Sequence, residues 1–374
     1  MKRPAPPALA HLGDALETLR REDRLRSRAE PPGALSFCSN DYLGLAGSLA
    51  PAVAAGAGAS RMIAGEHNEH AQLERALAEW LDAEQTLLFS SGYAANVGAL
   101  SALIGRDDWV VSDALNHASI IDGVRLARAE VAVVPHLDVP AVEAALERRN
   151  GRRAWVVTES YFSMDGDSPD LARLRAVCDA AGAGLVVDEA HALGVFGPDG
   201  RGLCAEAGVV PDVLVGTLGK AFGAAGAFVA GCRLLGDWLW NRARSHVFST
   251  GMSPATAAAA LANFERAART PALRATAVRL GDRLRDGLRT LGADVRGHGP
   301  IVPWALGSEA SALQAAASMR ELGVHAVAIR PPTVPKGTSR IRFALTARHT
   351  EQDVDRAIEA ARAALSRAVS RETP

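Results

Sequence analysis

Only three lysines, Lys2, Lys220 and Lys336, stand among the 41 basic residues of this 374-residue chain. Arginine carries nearly all the positive charge, so a remaining lysine is a candidate for chemistry a guanidinium cannot do. Its amine is nucleophilic, and its pKa responds to burial. Lys220 follows the apolar run Val213-Leu214-Val215 and enters a small-residue stretch, Ala221-Phe222-Gly223-Ala224-Ala225-Gly226. An amine at the mouth of a buried strand suits Schiff-base formation with a carbonyl compound. A solvated lysine in a surface turn fits this segment equally well, so its neighbours decide.

Two other apolar runs also end in polar residues. Trp155-Val156-Val157 runs into Glu159, Ser160 and Ser163, and Leu185-Val186-Val187 into Asp188, Glu189 and His191. Open α/β sheets bind ligands beyond the carboxyl ends of their strands. One crevice could then collect carboxylates, an imidazole, hydroxyls and an amine. That set suits pyridoxal 5′-phosphate, which needs a lysine, an acid to keep its pyridine nitrogen protonated, and phosphate ligands. Ser90-Ser91-Gly92-Tyr93-Ala94-Ala95-Asn96 follows the apolar Thr86–Phe89 and opens a predicted helix. Backbone N–H groups at a helix N-terminus favour a phosphate.

Each member also has a plainer reading. Asp188-Glu189-Ala190-His191 matches the acidic box of a nucleotide hydrolase, but a phosphate-binding loop is missing. Gly219-Lys220 is followed by Ala221, and Leu214 stands where that loop needs glycine. His117 alone reads as a packed or capping histidine. Arg330, Arg340 and Arg342 alone read as charges on strand edges. The constellation is more specific than its parts.

These residues must be positioned by alternating strands and helices. Apolar runs at 86–89, 109–111, 155–157, 185–187 and 213–215, separated by helical spacing such as 170–181, predict a mainly parallel sheet covered on both faces. Residues 8–29 predict one charged helix, stopped by Pro31-Pro32-Gly33. The uncharged stretch 43–60 is too rich in Gly, Ala and Ser to enter lipid and predicts a short helix and a glycine loop. Residues 254–290 predict a long Ala/Arg-rich helical stretch leading to a second, α+β unit. That unit should have helices near 308–322 and 350–369 and strands near 324–329 and 340–345, with Thr350 and Asp353 capping the last helix. The expected division is an N-terminal segment 1–44, a large domain 45–266 and a smaller C-terminal domain 267–374.

Composition sets the class. With 48% hydrophobic and 22% charged residues and a net charge of −1, the chain reads as an ordinary globular protein with no attraction to nucleic acid or membrane. Cys38, Cys178, Cys204 and Cys232 are far apart and predict thiols in a reducing cytosol, without a disulfide frame or a metal knuckle. Met1-Lys2-Arg3 is followed by prolines and not by the apolar core of a signal peptide.

Several segments, in order, resemble the α-oxoamine synthases, a fold-type I pyridoxal-phosphate family. They are Ser39-Asn40-Asp41-Tyr42-Leu43-Gly44-Leu45, Asn116-His117-Ala118-Ser119, Glu159-Ser160-Tyr161-Phe162-Ser163-Met164-Asp165-Gly166-Asp167, Val187-Asp188-Glu189-Ala190-His191 and Thr217-Leu218-Gly219-Lys220-Ala221-Phe222-Gly223. The likeness runs from about residue 10 to residue 365. It implies an aspartate aminotransferase-like fold, α/β with a mainly parallel central sheet and a smaller C-terminal domain.

The stretch Ala328-Ile329-Arg330-Pro331-Pro332-Thr333-Val334-Pro335-Lys336-Gly337-Thr338-Ser339-Arg340-Ile341-Arg342 resembles the branch of that family that serves biotin synthesis. The implied reaction is decarboxylative condensation of L-alanine with a pimeloyl thioester, of coenzyme A or of acyl-carrier protein. The resemblance also implies roles. Lys220 should hold the cofactor and later move the alanine Cα proton, Asp188 should pair with the pyridine nitrogen, and His117 should stack on the ring. His191 and Ser163 should meet the phenolic oxygen. Gly92, Tyr93 and Thr217 should surround the ring and phosphate, with Thr250 reaching the phosphate of a partner subunit in a homodimer. Arg330 should bind the alanine carboxylate, and Arg26 and Thr333 the acyl substrate. Two places depart from the pattern. Tyr93 stands where phenylalanine is common, and Ala57 and Ala59 stand in the glycine-rich loop where glycine or serine is common; the match around Arg26 is also loose.

Three alternatives remain at this point. They are a sister synthase that takes glycine, an aminotransferase or lyase of the same fold, and a non-enzymatic or nucleotide-binding protein.

Overall fold

The computed structural model describes residues 11–26 and 33–372. Its strands are β1 (Leu35–Ser36), β2 (Gln85–Phe89), β3 (Trp109–Asp113), β4 (Glu130–Val134), β5 (Ala154–Glu159), β6 (Gly184–Asp188), β7 (Val213–Thr217), β8 (Ala227–Gly231), β9 (Ile301–Gly307), β10 (Val324–His325), β11 (Val327–Ile329) and β12 (Ser339–Ala344). Its helices are α1 (His11–Arg21), α2 (Asn68–Leu81), α3 (Gly92–Leu103), α4 (Ala118–Ala127), α5 (Val139–Glu147), α6 (Leu171–Ala181), α7 (Gly202–Glu206), α8 (Arg233–Arg242), α9 (Arg244–Val247), α10 (Pro254–Arg269), α11 (Ala272–Thr290), α12 (Glu309–Glu321) and α13 (Glu351–Glu372).

Seven strands form the large sheet in the order β2-β8-β7-β6-β5-β3-β4. All neighbours are parallel except β8, which runs antiparallel to both β2 and β7. The unbroken runs Leu185-Val186-Val187 and Val213-Leu214-Val215 are buried, as strands covered on both faces require. The expected mainly parallel sheet is therefore present, with one reversed strand. One apolar cluster, including Leu73, Leu77, Leu185, Val187 and Phe222, packs on one side of the sheet. A second, including Phe89, Leu100, Ile120, Val186 and Val215, packs on the other.

A smaller sheet, β11-β12-β9, is antiparallel and carries its own core around Leu284, Trp304, Met319, Phe343 and Val354. Phe37 packs in that core, and β1 pairs with β10. Arg340 and Arg342 lie on β12, the central strand of this sheet, so they are buried groups with inward partners and not edge charges.

Three helical expectations need correction. α1 ends at Arg21, because Asp23 takes a left-handed φ of 53° and the Arg24 N–H folds back to the Leu19 carbonyl; residues 8–10 and 27–29 of that expectation lie outside the described residues. The segment 43–60 forms turns and loop, not a short helix, with Gly44 and Gly58 at φ +70° and +75° and Pro51 between them. The stretch 254–290 is two helices, broken at Thr270-Pro271 where proline removes a backbone donor and restricts the residue before it. The Thr350–Asp353 cap is formed, with the Thr350 N–H donating to Asp353 at 2.9 Å. Among the described residues no helix is long and apolar enough to cross a membrane.

Candidate active site

Lys220 lies just past the carboxyl end of β7, in a turn that small residues make possible. The Gly223 N–H donates to the Lys220 carbonyl at 2.9 Å, and Leu218 N–H donates to Gly226 O at 2.9 Å. Gly223 has φ +57°, and a Cβ there would sit 2.3 Å from the Ala46 nitrogen. Glycine therefore lets this turn press against segment 45–46 and fixes where the lysine emerges.

The strand next door brings the acids. Asp188 ends β6 and Glu159 ends β5, and the two are register partners in the parallel ladder. Both are buried. Asp188 accepts the Ala190 N–H at 2.8 Å and the Asn96 Nδ2–H at 2.6 Å. Glu159 accepts the His117 backbone N–H at 2.7 Å. Burial, reinforced by the Asp188 charge, pushes the Glu159 carboxyl up to about 8. Desolvation pulls the Lys220 amine down to about 8, against Asp188 and Glu159, which favour its charged form.

Two imidazoles flank this floor. His117 caps α4, its Nδ1 accepting the Ser119 N–H at 3.2 Å. Desolvation lowers its pKa, with Lys220 adding to the effect and Asp188 opposing it. His191 is buried beside Lys220, Arg342 and His117, and burial together with the Lys220 and Arg342 charges drops it well below the usual histidine range. Its Nδ1 lies 2.7 Å from the Tyr42 hydroxyl. Burial pushes that hydroxyl up to about 12, although Arg342 pulls the other way. Arg342 donates from Nε to the Ser163 carbonyl at 2.6 Å and from Nη2 to Asn40 Oδ1 at 2.9 Å. Arg340 donates to Asp165 and, at 3.2 Å, to the Met164 carbonyl. The second sheet thus bolts down the loop that presents Ser163.

These groups open on one cavity of about 1260 Å³, lined by Lys220, His117, His191 and Ser163 at depth and by Arg26 and Thr333 further along. Asp188 lies behind that lining, held by Asn96. Gly92 and Tyr93 begin α3, whose cap is Ser91 with its Oγ 3.1 Å from Ala94 N. A Cβ on Gly92 would sit 3.8 Å from Thr217 Oγ1, so the helix start and the end of β7 face each other. Tyr93 is 47% exposed and its hydroxyl donates to Asp122. Thr250 is exposed and lies outside the cavity lining, in a segment tied to the glycine loop by Gly251 N–H to Ala59 O at 2.9 Å.

The far rim of the cavity has a regular construction. Segment 23–26 runs alongside segment 330–333 at a constant offset of 307 positions. Arg330 donates to the Asp23 carbonyl, Arg24 Nε to the Pro331 carbonyl at 3.4 Å, and Arg26 Nη2 to Thr333 Oγ1 at 2.8 Å. Arg26 and Thr333, both expected at the acyl substrate, therefore touch each other. Arg330 is half-buried at this rim and outside the lining itself.

Sequence reasoning gave no role to Asn96, Ser119 or Tyr42 and read Arg342 as a strand-edge charge. Tyr42 and Arg342 find their partners far off in sequence. Asn96 lies on the second turn of α3, and its contact with Asp188 spans 92 positions.

The comparisons with known proteins agree with this geometry. Aminotransferase class I and II matches residues 32–360. A protein of Anaeromyxobacter dehalogenans named 8-amino-7-oxononanoate synthase is 48% identical, over 93% of this chain and 94% of its own length. One of the same name from Marinobacter nauticus is 45% identical, over 92% and 91%. The solved serine palmitoyltransferase of Sphingomonas wittichii superposes with a TM-score of 0.89 at 28% identity, covering 98% of this chain and 99% of its own. A serine palmitoyltransferase of S. paucimobilis, solved with a bound aldimine of pyridoxal phosphate and myriocin, superposes with a TM-score of 0.89 at 26% identity, over 98% and 100%. The chain belongs to the class I and II aminotransferases, and within that fold its nearly full-length relatives place it in the 8-amino-7-oxononanoate synthase family.

Proposed function

We propose that this protein joins L-alanine to a pimeloyl thioester with loss of CO₂, giving 8-amino-7-oxononanoate and the free thiol carrier, in the biotin pathway. The observation that carries this reading is the cavity itself. It begins at a desolvated amine beside two buried carboxylates and continues past Ser163 to a rim with Arg26 and Thr333, leaving room for an extended acyl chain beyond the reacting centre. A bond forms between alanine Cα and the acyl carbonyl carbon, and the C–S bond breaks. The bond from Cα to the carboxylate breaks to release CO₂.

The residues fit pyridoxal 5′-phosphate, which supplies the electron sink that makes alanine Cα acidic. Lys220 holds the cofactor covalently and moves the Cα proton; its lowered pKa suits a base working near neutrality. Asp188 would pair with the pyridine nitrogen. His117 would cover the ring, and His191 and Ser163 would meet its phenolic oxygen. Gly92, Tyr93 and Thr217 surround the ring and the phosphate, which the N-terminus of α3 favours. Arg330 grips the alanine carboxylate, for which a planar guanidinium fork is well shaped. Arg26 and Thr333 contact the acyl substrate, and the acyl thioester oxygen gathers negative charge near His117.

The working unit in this reading is a homodimer in the cytosol, with Thr250 serving the partner's phosphate. Ile63 and Phe248, 82% and 72% exposed, lie beside the Thr250 segment and support a contact there. An active monomer at nanomolar concentration, seen by sedimentation alongside an assay, would contradict this arrangement.

The test of function is steady-state turnover of pimeloyl thioesters against alanine, glycine and serine, following CO₂ and free thiol. Alanine should be strongly preferred. Oxo-acid exchange without thiol release would overturn the reading.

A further inference from the structure

Asn96 lies on the first turns of α3, 1% exposed, and its amide faces three ways. Its Nδ2 is 2.6 Å from Asp188 Oδ2 and 3.0 Å from Ser119 Oγ. Its Oδ1 is buried and has no hydrogen-bond partner among the described residues. Ser119, on the first turn of α4 and fully buried, has its Oγ 2.7 Å from His117 Nδ1.

We infer that Asn96 and Ser119 are positioning residues, forming a hydrogen-bond chain in which Asn96 donates both to Asp188 and to Ser119, and Ser119 donates to His117, so that the proton of the neutral His117 ring is held on Nε2. Both Asp188 oxygens accept, one from Ala190 N–H and one from Asn96. A carboxylate only accepts, so the Asn96 nitrogen and not its oxygen must face Asp188. The second hydrogen of that nitrogen then goes to Ser119 Oγ. Having accepted there, Ser119 has one hydrogen left, and His117 Nδ1 is the neighbour that takes it. The Ser119 backbone N–H also points at Nδ1. A ring nitrogen facing two donors keeps its lone pair free, which leaves Nε2 as the protonated position.

The orphaned Oδ1 supports this assignment. A buried carbonyl oxygen without a partner costs stability, and leucine, of similar shape, would avoid that cost. Asparagine is the side chain of this size that supplies two donors from one nitrogen. The value of the relay to the cofactor rests on the proposed function, since His117 and Asp188 are there the groups beside the ring. The relay itself belongs to the unloaded chain.

Nitrogen-15 spectra of histidine-labelled protein without cofactor test it, with His117 identified by the loss of its signals in His117→Gln. Near neutral pH, wild type should show an unprotonated Nδ1 and a protonated Nε2. In Asn96→Leu, Ser119 Oγ loses its donor and becomes free to accept, so the Nδ1 resonance should shift toward the protonated position. Asn96→Ala, which removes both donors without adding a charge, should give the same shift and serves if the leucine variant does not fold. Adding Ser119→Ala should abolish that sensitivity, because the relay then has no middle. A protonated Nδ1 in wild type, an Asn96 variant with unchanged His117 signals, or a full shift that persists with alanine at position 119 would each overturn the relay. Failure of alanine turnover would count against the proposed reaction and leave these spectra untouched.

Discussion

Glu159 and Asp188 end neighbouring parallel strands in register, two buried carboxyl groups that share one lysine. Each favours the charged form of Lys220, while desolvation and Arg342 oppose it. Glu159→Gln keeps the shape and an acceptor for the His117 N–H but removes the charge that Glu159 gains as it titrates at about 8. The Lys220 amine of the unloaded protein should then titrate at lower pH than in wild type. With three lysines in the chain, nitrogen-resolved lysine spectra can follow Lys220 directly. An unchanged or raised titration midpoint would refute the electrostatic account of this pair.

Asp188→Asn should leave the Ala190 contact in place and bind cofactor, yet lose the charge that, under the proposed function, keeps the pyridine nitrogen protonated. We expect turnover to fall by orders of magnitude, each factor of ten being about 1.36 kcal/mol of barrier. Single-turnover rates with alanine and a pimeloyl thioester check this. Near-normal rates would remove Asp188 from its assigned role.

Arg330 donates to the Asp23 carbonyl at the rim, and under the proposed function it exchanges that partner for the alanine carboxylate. Arg330→Ala should weaken L-alanine binding strongly and leave the cofactor's absorbance without alanine unchanged. Arg330→Lys should also bind poorly, since an ammonium cannot reproduce the two-pronged contact. Alanine affinity from the spectral change on titration is the measurement. An unchanged dissociation constant would shift attention to Arg340 or Arg342. Both already have inward partners, so that result would also require those contacts to break.

His136 lies between two acids, its Nδ1 2.9 Å from Asp113 and its Nε2 3.3 Å from Asp167. Although burial opposes the charge, these two partners lift its pKa to about 10. A histidine in the unfolded chain titrates near ~6.5. The folded pKa is the higher one, so this ion pair contributes fully below about 6.5 and is lost as pH rises toward about 10. Wild type should lose thermal stability across that window, and His136→Gln should lose less over the same range. Parallel curves for the two proteins would show that His136 is not the titrating group.

Much of the floor of the site was legible because its signals are local. Unbroken apolar runs ending in Glu159, Asp188 and Lys220 announce buried strands and where their ends meet. β4 and β9 gave weaker signals. Glu130-Val131-Ala132-Val133-Val134 is an edge strand with exposed valines, and β9 carries Pro303, which an edge strand tolerates. β8, Ala227-Phe228-Val229-Ala230-Gly231, merges with the small residues after Lys220. Asn96 stayed silent because its meaning lies in a contact with Asp188 across the sheet, which no periodicity encodes.

The matched offset between segments 23–26 and 330–333 sets an order of assembly. A chain made from its amino terminus has Glu159, Asp188 and Lys220 in hand long before Thr333 exists. Segment 23–26 must wait through nearly the whole of synthesis for the loop it borders. The residues of the chemical floor are therefore all in the chain before the rim can close.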